Sequence, residues 1–463
     1  MKTDLPTIVW FRSDLRISDN PALCAASQKG PVIPLFIWSP DEEDFAPGGA
    51  SKWWLHHSLT KLEKSLDRIG GKLILKTGTA LEVLKSVLQK TGAQAVFWNR
   101  RYEPIICKRD KLISTELNKA GIEVKTFKAN LLSEPDEIEN KTGRPFKVFT
   151  PFWKECLKRL NPPAPLEPPK QINRPTGSIK TQRLSDLNLE PVPDWAEGMR
   201  NNWNPGEAGA FQNLKLFIRN ASRDYSEARN FPDRSGTSRL SPHLRFGEIS
   251  PKQIWHSIKD SGEPKWKESH FLSELGWREF GYHLLHHFPH SVEEALRPAF
   301  NRFPWADNPK HLRAWQLGQT GYPFVDAGMR ELWTTGWMHN RVRMVVASFL
   351  VKHLLIHWRH GADWFWDTLV DADLASNTQG WQWTAGCGAD AAPYFRIFNP
   401  TTQAKKFDPN GDYIRRWVPE LRHLSVPEIF EPSTSVDEHL YPQPLVNHSQ
   451  ARTRALKAFE KIK

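Results

Sequence analysis

Short apolar runs and stretches with helical spacing alternate along the first 130 residues. The apolar runs predict five strands, at Thr7–Phe11, Val32–Trp38, Lys72–Lys76, Ala95–Trp98 and Ile122–Phe127. Apolar residues three and four positions apart predict intervening helices, at Ser51–Ile69, Ala80–Gln89 and Ile106–Lys119. This alternation is typical of a parallel sheet with right-handed crossovers, so we expect a five-stranded, Rossmann-like α/β domain. No Gly-x-Gly-x-x-Gly motif follows the first strand, so the usual dinucleotide fingerprint is absent.

The pattern changes after residue 130. Prolines crowd the polar stretch from Asn161 to Pro193, where they disfavour helices and predict a surface linker. From about Gly206, apolar residues recur at helical spacing, which predicts an all-α region with one long helix near Thr335–His357 and a last helix near Gln450–Lys463. We therefore expect an α/β domain over 1–130, an interdomain linker over 131–205 and a helical domain over 206–463.

The charge and composition narrow the function. The chain of 463 residues has a formal net charge of +11, which favours nucleic acid or an anionic membrane surface as a partner. A solvated basic surface without any partner explains the charge equally well. There is no apolar run of about 18 residues, so no membrane span is expected. Four cysteines lie far apart, which argues against zinc or iron–sulfur sites and fits a reducing cytosol.

Two polar segments in the first half of the helical region are candidates for chemistry. Gly236–Pro242 joins a glycine, hydroxyls and an arginine ahead of a predicted helix, which suits phosphate binding or an ordinary Ser/Thr helix cap. In the segment 274–280, Glu274, Trp277 and Arg278 share one helix face. That face could line a polar cavity or form an internal salt bridge beside a core tryptophan.

Two further segments follow. On a helix, Trp337, Asn340, Arg341 and Met344 would face one way, which suits an uncharged planar ligand next to phosphates, or else core packing beside a basic surface. The segment 371–377 contains an Asp-x-Asp pattern, which could bind magnesium or cap a helix. Because no other acidic cluster supports a metal, we expect none.

Together and in order, these segments resemble the photolyase/cryptochrome family over nearly the whole chain. The resemblance extends to Val9–Arg16, Thr320–Arg330 and Ala391–Pro400. Each motif is weak alone, but the ordered set is highly specific. It implies an α/β antenna-binding domain followed by an all-α catalytic domain that binds FAD and DNA.

The resemblance assigns residues to the FAD site. The implied cofactor contacts are Tyr225, Thr237, Ser238, Leu240, Ser241, Arg278, Arg343, Asp371, Asp373 and Asn377. Arg343 and Asp371 would pair over the isoalloxazine ring, where the guanidinium would stabilise the reduced, anionic flavin. Asn377 would face flavin N5. Plant cryptochromes carry Asp at this position, so Asn favours repair over signalling.

The resemblance also implies light-driven repair of cyclobutane pyrimidine dimers in DNA by electron transfer from excited FADH⁻. The implied dimer contacts are Glu274, Trp277, Asn340, Met344 and Trp383, and the implied phosphate contacts are Arg229, Arg341 and Arg396. Enzymes that act on (6-4) photoproducts carry His at the positions of Asn340 and Met344, so that activity is not expected. The rival interpretation is a cryptochrome-like blue-light receptor with little or no repair activity.

The remaining expectations also follow from the resemblance. With 21 tryptophans against 7 tyrosines, the chain offers candidates for an electron relay, and Trp305, Trp358 and Trp381 match the family's relay. Similarity to class III photolyases, the sister group of plant cryptochromes, implies methenyltetrahydrofolate as antenna, with Glu103 near its pterin, although a deazaflavin or no antenna would fit too. The expected partner is DNA containing pyrimidine dimers, with no obligate protein partner. A cytoplasmic monomer, associated with the nucleoid through DNA, is expected.

Overall fold

A five-stranded parallel sheet forms the centre of the N-terminal region. The computed structural model describes residues 5–177, 179–391, 395–432 and 436–463. The strands are β1 Thr7–Phe11, β2 Val32–Trp38, β3 Ile74–Thr77, β4 Ala95–Asn99 and β5 Glu123–Phe127. Their order is β3-β2-β1-β4-β5, with every neighbouring pair parallel. The predicted α/β fold is confirmed, and β3 begins two residues later than predicted.

Four helices cover the sheet, and local capping explains where they begin and end. They are α1 Pro21–Lys29, α2 Gly49–Arg68, α3 Ala80–Thr91 and α4 Pro104–Lys119. The Asn20 side chain accepts a hydrogen bond from the amide of Leu23 and Pro21 is the first helical residue, and these two residues set the start of α1. Helix α3 ends where Gly92 adopts a left-handed conformation.

The chain is mostly helical from about Gly206 onwards, as predicted, and two helices, α5 and α6, precede that point. The helices are α5 Phe149–Arg159, α6 Glu197–Asn202, α7 Glu207–Asn220, α8 Tyr225–Ala228, α9 Ser241–Arg245, α10 Pro251–Lys259, α11 His270–His287, α12 Pro309–Leu317, α13 Pro323–Thr335, α14 Asn340–Ser348, α15 Trp358–Thr368, α16 Leu374–Ala385, α17 Pro400–Phe407, α18 Asp412–Trp417, α19 Val426–Ile429 and α20 His448–Glu460. A π-helical segment, Phe349–His353, continues α14. Within the described ranges, no helix is long and apolar enough to cross a membrane.

The prediction of one long helix near Thr335–His357 is wrong. Helix α13 ends at Thr335 because Gly336 adopts a left-handed φ of 67°. A new helix starts at Asn340, where the His339 side chain accepts a hydrogen bond from the amide of Arg341. Trp337 therefore lies in the connection and does not share a helix face with Asn340 or Met344.

The predicted linker over 131–205 contains ordered elements. Helix α5 packs on α11, and Phe152 and Trp153 belong to the same buried cluster as Leu275 and Phe280. Helix α6 follows near the end of the range. The proline-rich stretch itself is free of α-helix in its described part. The domain boundaries at 130 and 205 remain a prediction.

Arg16 joins the α/β region to the helical region. Its guanidinium is buried and donates to three backbone oxygens, those of Asp19, Ala129 and Gly247, at 2.8 to 3.2 Å. Gly247 has a φ of 63°, and a Cβ there would lie 2.2 Å from the backbone oxygen of Ser13. The two regions thus meet through backbone contacts that one arginine satisfies.

We predict that Arg16→Met lowers the free energy of unfolding by roughly 3–5 kcal/mol, because three buried carbonyls lose their donor. Urea midpoints and Tm should show the loss. The control is Arg183→Met, since Arg183 pairs with Asp186 through a side chain that is 86% exposed. That change should stay within about 0.5 kcal/mol. An Arg16 variant as stable as the parent would contradict the junction role.

Candidate functional site

A tight loop before α9 carries the first candidate segment. Gly236 must be glycine, because a Cβ there would lie 2.4 Å from the backbone oxygen of Ala228. The N-cap residue of α9 is Leu240, which makes no side-chain capping bond. The alternative of an ordinary Ser/Thr cap is therefore wrong. Instead, Ser238 Oγ accepts from the Leu240 amide at 3.4 Å, and Ser241 Oγ accepts from Trp337 Nε1 at 3.3 Å.

An unusual arginine fixes the middle of this loop. Arg239 has a left-handed φ of 52°. Its guanidinium lies between two indole rings, 4.1 Å from the centroid of Trp203 and 4.7 Å from that of Trp337. Such contacts stabilise a cation where water is scarce. The loop that carries Thr237 and Ser238 is thereby held in one conformation.

Arg343 and Asp371 form the predicted ion pair. Arg343 Nη2 lies 2.8 Å and 3.1 Å from the two carboxylate oxygens of Asp371, whose side chain is 3% exposed. Arg343 Nε also donates to the backbone oxygen of Met338 at 2.7 Å. These bonds fix the plane of the guanidinium. A cation fixed in this way can offset negative charge on an adjacent ring.

Asp373 caps α16, so the helix-cap alternative for this segment is confirmed. One carboxylate oxygen accepts from the Ser376 amide at 2.8 Å, and the other accepts from the Tyr282 hydroxyl. Among the described residues, no three His, Cys, Asp or Glu side chains gather as metal ligands.

One face of α16 borders open space. Asn377 donates to the Ala362 backbone oxygen at 3.0 Å. At Gly380, one turn later, no heavy atom lies within 4 Å of where a Cβ would stand. A ring system could therefore approach this face closely. The donors and small residues present fit a planar, phosphate-bearing cofactor.

Arg278 and Tyr225 are placed by α11 and its neighbours. Arg278 Nη1 donates to the Asn130 backbone oxygen at 2.6 Å, and its guanidinium lies 5.0 Å from the Tyr282 ring centroid. Tyr225 is buried, with its ring 5.4 Å from that of Phe271. Burial raises the pKa of Tyr225, so its hydroxyl stays protonated at neutral pH.

Trp277 and Trp383, the two residues predicted to stack on the pyrimidine dimer, are fixed by contacts with neighbouring residues. The Trp277 ring stacks on Phe149 with centroids 3.8 Å apart and planes 9° from parallel. Trp383 Nε1 donates to the Asp390 backbone oxygen at 3.2 Å, and Asp390 itself has a left-handed φ of 51°. Both indoles are thus restrained before any substrate arrives.

Glu274 and Arg229 contact each other, which the sequence did not predict. Arg229 Nη1 forms an ion pair with Glu274 Oε1, and neither side chain is more than 30% exposed. The salt bridge considered for the helix face of Glu274 and Arg278 is therefore not formed between these two residues, because Glu274 pairs with Arg229 and Arg278 donates to the Asn130 backbone oxygen. If Glu274 bonds a pyrimidine edge and Arg229 a phosphate, this pair must rearrange.

The start of α14 presents Asn340, Arg341 and Met344. Asn340 is exposed, whereas Arg341 and Met344 are half-buried. Arg341 bonds the Asn230 side chain, lies 3.8 Å from Met344 Sδ and covers the Phe407 ring at 4.3 Å. These three residues lie within one helical turn of Arg343, so a single helix carries both cofactor and substrate candidates.

Arg396 follows a stretch that lies outside the described residues. The motif Ala391–Pro400 includes residues 392–394, which fall in that stretch. Arg396 itself is described, and its guanidinium lies 4.8 Å from the Phe398 ring centroid.

The three relay tryptophans lie around α15. Trp381 is 2% exposed and lies over Gly361, where an added Cβ would be 2.0 Å from the indole. Trp358 is the first residue of α15, one turn before Gly361. The half-buried Trp305 is linked to Trp358 through His357, at centroid distances of 5.0 Å and 5.5 Å. Trp305 and Trp358 are thus connected through His357, and Trp381 packs against the helix that Trp358 begins.

Glu103 takes part in an ion-pair network. Its carboxylate pairs with Arg101 at 2.8 Å, and Arg101 also pairs with Glu43 at 2.7 Å. Burial would raise the pKa of Glu103, but the arginine lowers it to about 2. Glu103 is therefore ionised and already paired. A cavity at the carboxyl ends of β1 and β2 lies beside this network, lined by residues that include Trp10, Trp38, Arg101, Arg109 and Arg245.

Two family models match this chain. The model described as DNA photolyase matches residues 7–170, and the model described as FAD binding domain of DNA photolyase matches residues 271–461. The chain belongs to the DNA photolyase family. The family includes both photolyases and cryptochromes among the relatives found.

Similar proteins cover the full chain. A deoxyribodipyrimidine photo-lyase of Agrobacterium fabrum is 49% identical over 99% of this chain and 98% of its own length. Cryptochrome-1 of Arabidopsis thaliana is 41% identical over 98% of this chain but 70% of its own length. The crystal structure of a bacterial class III photolyase from Agrobacterium tumefaciens superposes with a TM-score of 0.96 at 48% identity, covering 100% of this chain and 98% of that one.

Several supporting residues could not be predicted from the sequence. Asn130, from the loop after the sheet, accepts from Arg278 and donates to the Ser13 backbone oxygen at 2.8 Å. Tyr282, one turn after Arg278, holds Asp373. Neither lies in a motif that points to chemistry, and helical spacing alone places Tyr282 near Arg278 without indicating its partner.

Proposed function

We propose that this protein is a light-driven deoxyribodipyrimidine photo-lyase that repairs cyclobutane pyrimidine dimers in DNA. One observation carries the proposal. Helix α14 places Asn340 and Met344 on one face, next to Arg343, which is paired with Asp371. An electron donor beside Arg343 and a dimer beside Asn340 would be neighbours, as electron transfer requires.

The residues present fit FAD. The loop with Thr237, Ser238 and Ser241 would receive the phosphates, and Asn377 beside Gly380 would border the ring. When bound and reduced, FAD supplies the electron that opens the cyclobutane ring under blue light. Arg343 would stabilise the anionic ring, and the neutral amide of Asn377 offers no carboxyl proton at N5.

The protein's share of repair is positioning. Extrusion of the damaged nucleotide is a general property of photolyases rather than a deduction from this chain. Trp277 and Trp383 would stack on the extruded dimer, each worth roughly 1–3 kcal/mol. Asn340 and Glu274 would bond the pyrimidine edges, and Met344 would fill the apolar gap. Arg229, Arg341 and Arg396 would pair with flanking phosphates, so binding should weaken as salt rises.

The second candidate function is blue-light signalling without repair. The similarity to Cryptochrome-1 of Arabidopsis thaliana favours it. Asn at position 377 and the Asn340/Met344 pair favour repair instead.

One experiment separates the two functions. The purified protein, its flavin reduced under blue light, is mixed with an oligonucleotide that contains a thymine dimer. Recovery of thymine absorbance supports repair. A protein that photoreduces but leaves the dimer intact supports signalling, and a protein that purifies without flavin overturns both.

We also propose a methenyltetrahydrofolate antenna in the cavity at the carboxyl ends of β1 and β2. Ligands of open parallel sheets bind at the carboxyl edge where the strand order reverses, here between β1 and β4, and Arg101 and Arg109, which follow β4, also line the cavity. Trp10 and Trp38 offer aromatic walls, and Glu103 acts through Arg101 rather than through a free carboxylate. Absorption and mass of the chromophore released from native protein would distinguish a folate from a deazaflavin or from none.

The remaining proposals concern the cell. We propose a cytoplasmic monomer that reaches the nucleoid by binding damaged DNA. Sedimentation of the purified protein with and without dimer-containing DNA would reveal any larger assembly.

A further inference from the structure

A lysine is buried behind the segment that carries Arg396. Lys352 lies in the π-helical segment Phe349–His353 and is 4% exposed. Its ammonium donates to the backbone oxygen of Arg396 and lies 4.5 Å from the Phe395 ring centroid. Among the residues that the structure describes, no carboxylate pairs with it.

A second bond holds the same segment. Ser348, the last residue of α14, accepts from the amide of Phe398 at 3.3 Å. The Arg396 guanidinium in turn covers the Phe398 ring at 4.8 Å. Ser348 and Lys352, four residues apart on one continuous element, therefore fix the backbone at the Arg396 carbonyl and at the Phe398 amide. The same element begins with Asn340 and Arg341, so the dimer contacts and the Arg396 segment share one support.

We propose that Lys352 is a positioning residue for DNA binding, which holds the main chain so that Arg396 points at a backbone phosphate. The inference rests on the proposed repair function and extends it. Lys352 touches neither DNA nor flavin in this assignment; it acts through Arg396.

An apolar residue at position 352 would be buried at a lower desolvation cost. The presence of an ammonium group there therefore indicates a specific role for its charge. A buried cation without a carboxylate costs several kcal/mol. A charge-assisted bond to a carbonyl is stronger than a neutral one. The bond from the Lys352 ammonium thus keeps the backbone at Arg396 in place when Arg396 binds DNA.

The charge of Lys352 should respond to pH near neutrality. Burial, and to a lesser extent the charge of Arg396, lowers the pKa of Lys352 to about 7. The Cys387 thiol, whose pKa burial raises to about 12, stays neutral. His353, whose pKa burial lowers to about 3, is neutral too. A phosphate bound by Arg396 would favour the ammonium, so binding should take up a proton.

The sign of the effect follows from this linkage. The ammonium is present below pH 7 and is lost as pH rises through 7. The affinity for dimer-containing DNA should therefore fall above pH 7, by about tenfold in total. The protein needs no substitution for this measurement.

The test is Lys352→Met in the full-length, flavin-loaded protein. We expect Kd for a dimer-containing duplex to rise about tenfold, equal to about 1.4 kcal/mol. Flavin content and the repair rate at saturating DNA should not change. The decline in affinity above pH 7 should disappear. Lys85→Met, which removes an exposed lysine of the α/β region, is the control and should leave Kd unchanged.

A double variant decides how Lys352 acts. Adding Lys352→Met to Arg396→Ala should weaken binding no further, because the arginine that Lys352 positions is already gone. Additive losses would overturn the proposal, as would an unchanged Kd in the single variant. If Lys352→Met loses flavin or folds poorly, Ser348→Ala removes the other anchor and should also raise Kd.

The proposal can fail separately from the repair function. A parent protein that neither binds nor repairs dimers would overturn the proposed function. A parent that repairs, with Arg396→Ala weakened and Lys352→Met unaffected, would overturn the role of Lys352 alone.

Discussion

Replacing Trp381 by phenylalanine should nearly stop light-driven reduction of the oxidised flavin, slowing it by at least about 100-fold. That factor corresponds to about 2.7 kcal/mol in the barrier. Repair by enzyme that has been reduced chemically should continue at the parent rate. Flavin absorbance followed under blue light measures the first property, and recovery of thymine absorbance measures the second.

The geometry explains why one ring should matter so much. Trp381 is buried and lies on α16, the helix that carries Asn377. It lies over Gly361 on α15, the helix that begins with Trp358. Phenylalanine fills most of the same space but is far harder to oxidise. An electron from Trp358 would then have no oxidisable side chain at position 381 through which to reach the flavin.

A control separates relay from packing. Trp255, in α10, is also buried and its ring contacts Trp266 at 5.2 Å, far along the chain from the relay. Trp255→Phe should leave photoreduction intact. If Trp381→Phe impaired repair by chemically reduced enzyme as strongly as it impaired photoreduction, Trp381 would be a packing residue of the cofactor site and the relay assignment would be wrong.

Regular elements could be predicted because their signals are local. Asn20 and Pro21 mark the start of α1, and the apolar runs at β1 and β2 mark buried parallel strands. The error in predicting one long helix near Thr335–His357 arose because the backbone conformation of a single residue ends a helix even where the helical spacing of apolar residues continues. Gly336 ends α13 although apolar residues continue at helical spacing beyond it.

The candidate site was predictable only in part, for a different reason. The ion pair of Arg343 with Asp371 joins residues 28 positions apart, and only the ordered motifs pointed to it. The pairing of Arg229 with Glu274 and the contact of Lys352 with the Arg396 backbone depend on how helices pack. Periodicity places a side chain on a face of its helix, but it does not say which partner from a distant element meets that face.

Asn340→His combined with Met344→His should abolish dimer repair, lowering the rate by at least about 100-fold. Both positions lie on the first turns of α14, next to Arg343. The Asn340 amide can donate and accept hydrogen bonds through one planar group. A neutral histidine at this position would donate a hydrogen bond from one ring nitrogen and accept one at the other. Histidine at 344 would place a polar ring where a soft, apolar thioether now lies 3.8 Å from Arg341.

The double variant should still bind flavin and photoreduce, because Arg343, Asp371 and Trp381 are unchanged. Met344→Leu is the matched control, since it conserves volume and apolarity and should retain repair within a few-fold. Repair is measured as thymine recovery at saturating DNA, with flavin absorbance recorded on the same samples. Wild-type repair by the double-histidine variant would mean that the dimer does not contact the start of α14, and the proposed substrate pocket would have to be placed elsewhere.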